Sequence, residues 1–153
     1  TGSLETLMAI MDFHGGIPDQ KTARSILQLR YYLEAPAMEE LAVRRNPGDL
    51  AALRALQRQA EEASVQGVPA FAEALFRYHR GVAFLSGNTI TPLLFNAFMR
   101  VNLEFWKEYV LTDGVARCLE QLNRFTQLIS DGQGAEATAL LRSGLEEFVR
   151  RRA

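Results

Sequence analysis

The sequence predicts an all-α protein, an antiparallel bundle of about seven helices, on three observations. Apolar residues recur at three- and four-residue spacing, Gly and Pro cut that period at intervals, and no alternating β-branched run lies between the cuts. The connections between the periodic stretches are short, so successive helices must turn back on one another.

A first helix over about Ser3 to Phe13 carries Leu4, Leu7, Met8 and Met11 on one face and stops at Gly15-Gly16-Ile17-Pro18. A second starts near Pro18-Asp19, presents Ile26, Leu27, Leu29, Leu33 and Met38, and ends around Arg45. Pro36 lies inside it, where a backbone donor is lost and a kink is expected. Asn46-Pro47 caps and opens a third helix to about Gln66. Leu50, Leu53 and Leu56 are its apolar residues and the rest is polar, so it is expected on the outside; Gly67 ends it. The fourth runs from Pro69 to about Leu85, and Ser86-Gly87-Asn88 closes it and caps the next. The fifth, Thr89 to Leu111, is apolar nearly all round, with Leu93, Leu94, Phe95, Phe98, Met99, Val101, Leu103, Phe105, Trp106 and Tyr109. That is the pattern of an enclosed helix, expected at the bundle's centre. Asp113-Gly114 opens a sixth helix through Leu119, Leu122, Phe125 and Leu128, Asp131-Gly132 closes it, and a seventh runs from Ala135 to about Arg152.

With 153 residues, 48% hydrophobic and 23% charged, the chain has the balance of a single globular domain spanning 1–153. A net charge of -1 offers no basic face to a polyanion. Cys118 is alone, which excludes an intramolecular disulfide and fits a reducing, cytoplasmic compartment. No apolar run approaches the roughly 18–20 residues of a membrane span, so no membrane role is expected. No Ser-His-Asp, Cys-His, Walker or dinucleotide motif is present, and the chain is not expected to be an enzyme.

The stretch Tyr78-His79-Arg80-Gly81-Val82-Ala83-Phe84-Leu85-Ser86-Gly87-Asn88 sets an aromatic, a variable residue and Arg-Gly before an apolar run into Ser-Gly-Asn, and Asn96 continues it. Leu4-Glu5-Thr6-Leu7 stands near the start, and Leu29-Arg30 with Glu34 on the second helix. Together, at low identity over essentially the whole chain, these resemble the carboxy-terminal effector-binding (FCD) domain of the FadR branch of the GntR family of transcription regulators. The resemblance implies a homodimeric domain that binds a small molecule within the bundle and thereby controls DNA binding by a winged helix-turn-helix. Since the first helix starts almost at Thr1, it also implies that the winged module lies outside this chain and that DNA is met only through it.

Most of that wider family hold a metal ion with an Asp and three His. Carried over position by position, the Asp falls on Leu75, the first His on His79, and the later two at about Asn123 and Gly144. The resemblance therefore implies no metal and no other cofactor, with His79 a core or pocket-lining histidine satisfied by a polar neighbour. In the FadR branch the cavity accepts a long-chain acyl-CoA, so an acidic or amphipathic effector is implied, acyl-CoA or another organic acid. Ser143 stands where the family has an aromatic, which leaves that choice open. The candidate ligand-binding residues are Arg30, Arg77, His79, Arg80, Asn96, Arg100, Ser143, Gly144 and Glu146. Asn96 and Arg100 lie one turn apart on the most apolar helix, where a buried guanidinium has to meet an anion, a carbonyl or water. Gly144 would let a ligand approach the backbone, and Phe95, Phe98 and Phe105 are expected as an aromatic wall. The alternative is a helical protein-interaction domain without a small-molecule pocket, its fifth helix plain core and its third an interface. An enzyme using His79 as a base lacks an orienting carboxylate at helical spacing. The Arg150-Arg151-Arg152 run complements the last helix's dipole.

Overall fold

The computed structural model describes residues 5, 6, 9 and 19–152, and among them residues 20–152 form seven helices and no strand. The first helix expected from the sequence lies outside them apart from Glu5, Thr6 and Ala9, which are helical. The elements are α1 (Gln20–Arg44), α2 (Pro47–Ala63), α3 (Val68–Leu85), α4 (Thr91–Ala97), α5 (Met99–Asp113), α6 (Val115–Ser130) and α7 (Gly134–Arg152).

Local chemistry sets most of these boundaries. Asp19 caps α1 by accepting from Thr22 N at 2.7 Å. The helix then runs through Pro36, which is exposed, so the carbonyl one turn back that loses its donor faces water. Asn46 Oδ1 accepts from Gly48 N at 2.9 Å and Asp49 N at 3.2 Å, with Pro47 opening α2. α2 buries only Leu53, Ala60 and Ala63, and it lies on the outside as its polarity predicts. After α3, Ser86 Oγ donates to Ala83 O at 2.7 Å, while Asn88 Oδ1 accepts from Ile90 N and Thr91 N at 2.9 and 3.0 Å. Gly114, at φ 88°, ends α5 and starts α6 in a conformation that side chains rarely adopt.

The fifth helix expected from the sequence differs in two respects. It is two helices, α4 and α5, joined at Phe98 with φ -102° and ψ 15°. Neither Gly nor Pro makes the break. Phe98 is buried, and its carbonyl accepts both the Asn102 backbone N–H and the Asn102 side-chain Nδ2, each at 3.0 Å, so a side chain competes with the helical ladder there. Nor is this segment the centre of the bundle, because Leu93, Met99 and Leu111 are exposed. The central helix is α3, which packs on α1, α2, α4 and α5 and buries nine residues. α7 returns against α1 and α6.

The core has two parts. The larger gathers Met38, Leu41, Leu53, Phe71, Leu75, Phe76, Trp106, Leu122, Phe125 and Leu141. The smaller joins Ala23, Ile26 and Leu27 of α1 to Phe98, Val101, Phe105 and Phe148. Among the described residues, no helix is long and apolar enough to cross a membrane.

Candidate functional site

Where the two core clusters meet, three charged or titratable side chains are buried together. Arg30, Glu34 and His79 are 7%, 0% and 2% exposed. Arg30 and Glu34 are one turn apart on α1, so they share a face, and Arg30 Nε lies 3.4 Å from Glu34 Oε2. The other carboxylate oxygen, Oε1, takes a short hydrogen bond from His79 Nδ1 across from α3. One carboxylate thus holds a guanidinium and an imidazole. Trp106 of α5 packs on both: the Arg30 Cζ is 4.4 Å from its ring centroid, and the His79 ring stacks on it at 4.8 Å and 25°. Phe125 of α6 meets the imidazole edge-on at 5.6 Å.

The electrostatics follow from this burial. Desolvation holds the His79 imidazole below its ordinary pKa, outweighing the attraction of Glu34, and Arg30 pushes in the same direction as burial. The neutral ring donates through Nδ1 to Glu34, which leaves Nε2 as an acceptor. Burial likewise lowers the Arg30 guanidinium, against the pull of Glu34. Among the described residues the Arg30 terminal nitrogens and His79 Nε2 have no hydrogen-bond partner. Both side chains line a cavity.

That cavity has a volume of about 40 Å³ and is walled by five helices. α1 supplies Leu27 and Arg30, α3 Leu75 and His79, and α5 Phe105, Trp106 and Tyr109. Cys118, Gln121, Leu122 and Phe125 come from α6, and Leu141, Gly144, Leu145 and Phe148 from α7. The volume admits roughly three waters. Apolar and aromatic walls with a few convergent donors and acceptors are the make-up of a small-molecule pocket. On its outer side Tyr109 donates to Gln121 Oε1. Burial and then the charge of Asp113 raise the Tyr109 phenol above its ordinary pKa, so it remains a donor.

Of the residues singled out from the sequence, the structure brings Arg30, His79 and Gly144 to this cavity and leaves the others away from it. Arg77 is exposed and pairs with Glu73 on its own helix at 2.5 Å. Arg80 Nη1 donates to Asn96 Oδ1 at 3.0 Å, a tie between α3 and α4. Both arginines are within two positions of His79, and a helix turns such neighbours onto other faces. Asn96 and Arg100 are exposed, so the burial that was to make them seek a polar cavity does not exist. Ser143 is exposed and lines a separate polar cavity between α5, α6 and α7, and Glu146 lines an open groove between α1 and α7 with Tyr31 and Arg142. Phe105 lines the cavity but Phe95 and Phe98 do not.

The metal positions can be placed as well. Leu75 and Gly144 face the cavity and bring no donor side chain, while Asn123 is exposed and bonds Gln57 of α2 at 2.5 Å. The cavity-facing residues of that part of α6 are Gln121 and Leu122. Beside His79 the Arg30 guanidinium already supplies a fixed positive charge, and Nδ1 is taken by Glu34. These residues do not fit a divalent cation. Among the described residues, no group of three or more His, Cys, Asp or Glu side chains is placed to hold one.

Sequence reasoning missed the Glu34 partnership of His79, since the two lie 45 positions apart. It also missed Trp106, Tyr109 and Gln121 as cavity walls. For α6 a signal was present: Cys118, Leu122, Phe125 and Ile129 form an apolar stripe that excludes Asn123.

Among known families, the FCD domain matches residues 25–147. No curated protein matches the chain.

Proposed function

Because this chain belongs to the FCD domain family, we propose that its effector is a small organic acid held in the cavity around Arg30. FCD domains are the carboxy-terminal effector-binding domains of GntR-type regulators. In this reading the acid's carboxylate meets the Arg30 terminal nitrogens in a charge-assisted pair, and a hydroxyl or protonated group on the ligand donates to His79 Nε2. The cavity of about 40 Å³ takes the acid end of the ligand, whose first carbons meet the walls of Phe105, Trp106, Phe125 and Phe148.

The observation that carries this reading is a buried guanidinium facing a cavity with donors to spare, in a protein that has already spent a carboxylate to keep it there. Donors that open onto a cavity take water or an anion as partner, and a carboxylate matches a guanidinium best. The cavity's existence favours an effector over the pocketless protein-interaction domain. Its volume of about 40 Å³ favours a small acid over a long acyl chain, since typical pockets for larger ligands span about 300–1,000 Å³. The FadR branch, a homodimeric cytoplasmic regulator and DNA contact through a winged module complete the proposal, and they rest on the resemblance of the Tyr78 to Asn88 stretch.

Thermal-shift titration of the protein against a panel of small organic acids and acyl-CoAs tests it. A ligand that binds the native state alone raises the melting temperature by mass action. At least one small acid should do so in a saturable manner while acyl-CoAs do not, and a panel with no stabilising acid would refute the assignment.

A further inference from the structure

We propose that the Tyr109–Gln121 hydrogen bond is the door of the Arg30 cavity, and that it opens onto an outer cavity between α5, α6 and α7. The two chambers then form one site for a small carboxylic acid whose polar far end remains outside. The identity of the ligand rests on the effector reading above; the door does not.

The outer cavity has a volume of about 430 Å³, and its walls share Tyr109, Gln121, Gly144 and Phe148 with the inner one. Only the thickness of those residues separates the chambers. Phe148 is buried and Gly144 has no side chain, so the partition consists of two half-buried side chains joined by a hydrogen bond, Tyr109 from α5, whose ring packs on Trp106 at 5.7 Å and Phe148 at 6.1 Å and whose hydroxyl also interacts with Asp113, and Gln121 from α6. Gln121 can swing about its own side-chain torsions without moving a helix, while the Tyr109 ring keeps its contacts with Trp106 and Phe148 and contributes its hydroxyl. Gly144 leaves room beside the amide: a Cβ there would lie 3.1 Å from Gln121 Nε2, and the amide would give way by a few tenths of an ångström.

The chambers differ in character as the two ends of such a ligand do. The inner one is aromatic and apolar around one guanidinium. The outer one is polar, and its charges balance: Asp113, Glu120 and Glu147 against Arg117, Arg124 and Arg151, with Arg151 bridging Asp113 and Glu147. An acid group is therefore drawn inward to Arg30, while an uncharged polar end suits the outside.

Trp106 lines the inner cavity and is the sole tryptophan of the chain, so its fluorescence reports entry without any knowledge of the effector. The probes are acrylamide, iodide and caesium. Wild-type protein should be quenched weakly by all three. Gln121→Ala and Tyr109→Phe should each raise the acrylamide quenching constant several-fold, with iodide gaining more than caesium because the Arg30 guanidinium lines the inner cavity and its partner Glu34 does not. Leu111→Ala, an exposed position on α5, should change nothing. If Gln121→Ala loses its helical circular dichroism, Tyr109→Phe, which removes one hydroxyl, decides the matter. Quenching of Tyr109→Phe equal to wild type overturns the door, and equal gains for caesium and iodide overturn an anion-selective chamber. Loss of all organic-acid binding with the quenching pattern intact would overturn the effector reading alone, and binding with unaltered quenching would overturn the door alone.

Discussion

Replacing Glu34 with glutamine keeps the side chain's size and removes the charge that holds Arg30 and His79. Removing one partner of a buried ion pair costs about 3–5 kcal/mol, because the other charge stays behind uncompensated. Arg30 is 7% exposed and its carboxylate partner fully buried, which places the loss in that range. Arg30 keeps the Trp106 face at 4.4 Å as a partner in the variant, so the low end of the range, about 3 kcal/mol, is expected. With a urea dependence of about 2 kcal/mol per molar, the midpoint of unfolding should fall by roughly 1.5 M. Arg30→Met should cost less, about 1–2 kcal/mol, because Glu34 then faces His79, whose proton affinity Arg30 holds down. In that variant the pKa of His79 moves up because the repulsion of Arg30 is gone, while burial, the largest cause, still holds it down. The double variant Arg30→Met/Glu34→Gln removes both charges and should fall within about 1 kcal/mol of wild type, a coupling of about 2 kcal/mol or more. Urea titrations at neutral pH, followed by circular dichroism and Trp106 fluorescence, give all four corners of the cycle. A loss below about 1 kcal/mol for Glu34→Gln, or strictly additive losses in the double variant, would refute the account of the cluster.

Three further outcomes follow from named contacts. His79 has a folded-state pKa below its unfolded value, so the unfolded chain binds the extra proton and stability falls as pH drops below about 6.5, by up to about 1.4 kcal/mol per pH unit. His79→Gln should flatten that part of the stability profile, and an unchanged slope would contradict the assignment. Gly144→Ala should stabilise by about 0.5–1 kcal/mol, because the atom it meets is the movable end of Gln121. Gly81→Ala should instead lower the melting temperature, its Cβ falling 2.3 Å from Leu56 Cδ1 in the α2–α3 packing; equal signs for the two would count against this reading. Burial pushes the Cys118 thiol up to about 12, so a thiol reagent at pH 8 should label it only as fast as the protein unfolds, and rapid labelling of the native state would show the site to be open.

The helices were legible because their ends are written locally. Asn46-Pro47, Ser86-Gly87-Asn88 and Asp113-Gly114 each act within three residues, and the structure has caps or breaks at all of them. The joint at Phe98 was not legible, because a buried ring and the Asn102 side chain make it without any helix-breaking residue. Counting apolar residues around the fifth expected helix also misjudged its exposure. Leu93, Met99 and Leu111 look like core in a periodicity count but face solvent, and Asn96 and Arg100 go outward with them. The site was half legible for a related reason. Arg30 and Glu34 are paired by helical spacing, whereas the contact of Glu34 with His79 exists only through the packing of α1 on α3.

The central claim is that Arg30, through its unfilled terminal nitrogens, binds the acid group of the effector. Isothermal titration of the best-stabilising small acid into wild type, Arg30→Met and Arg100→Ala tests it directly, with circular dichroism establishing that each variant is folded. A charge-assisted contact contributes about 1.5–3 kcal/mol, which is roughly a tenfold to hundredfold change in Kd. The account predicts a loss of that size for Arg30→Met and none for the exposed Arg100→Ala. Wild-type affinity in folded Arg30→Met, or a comparable loss in Arg100→Ala, would contradict it.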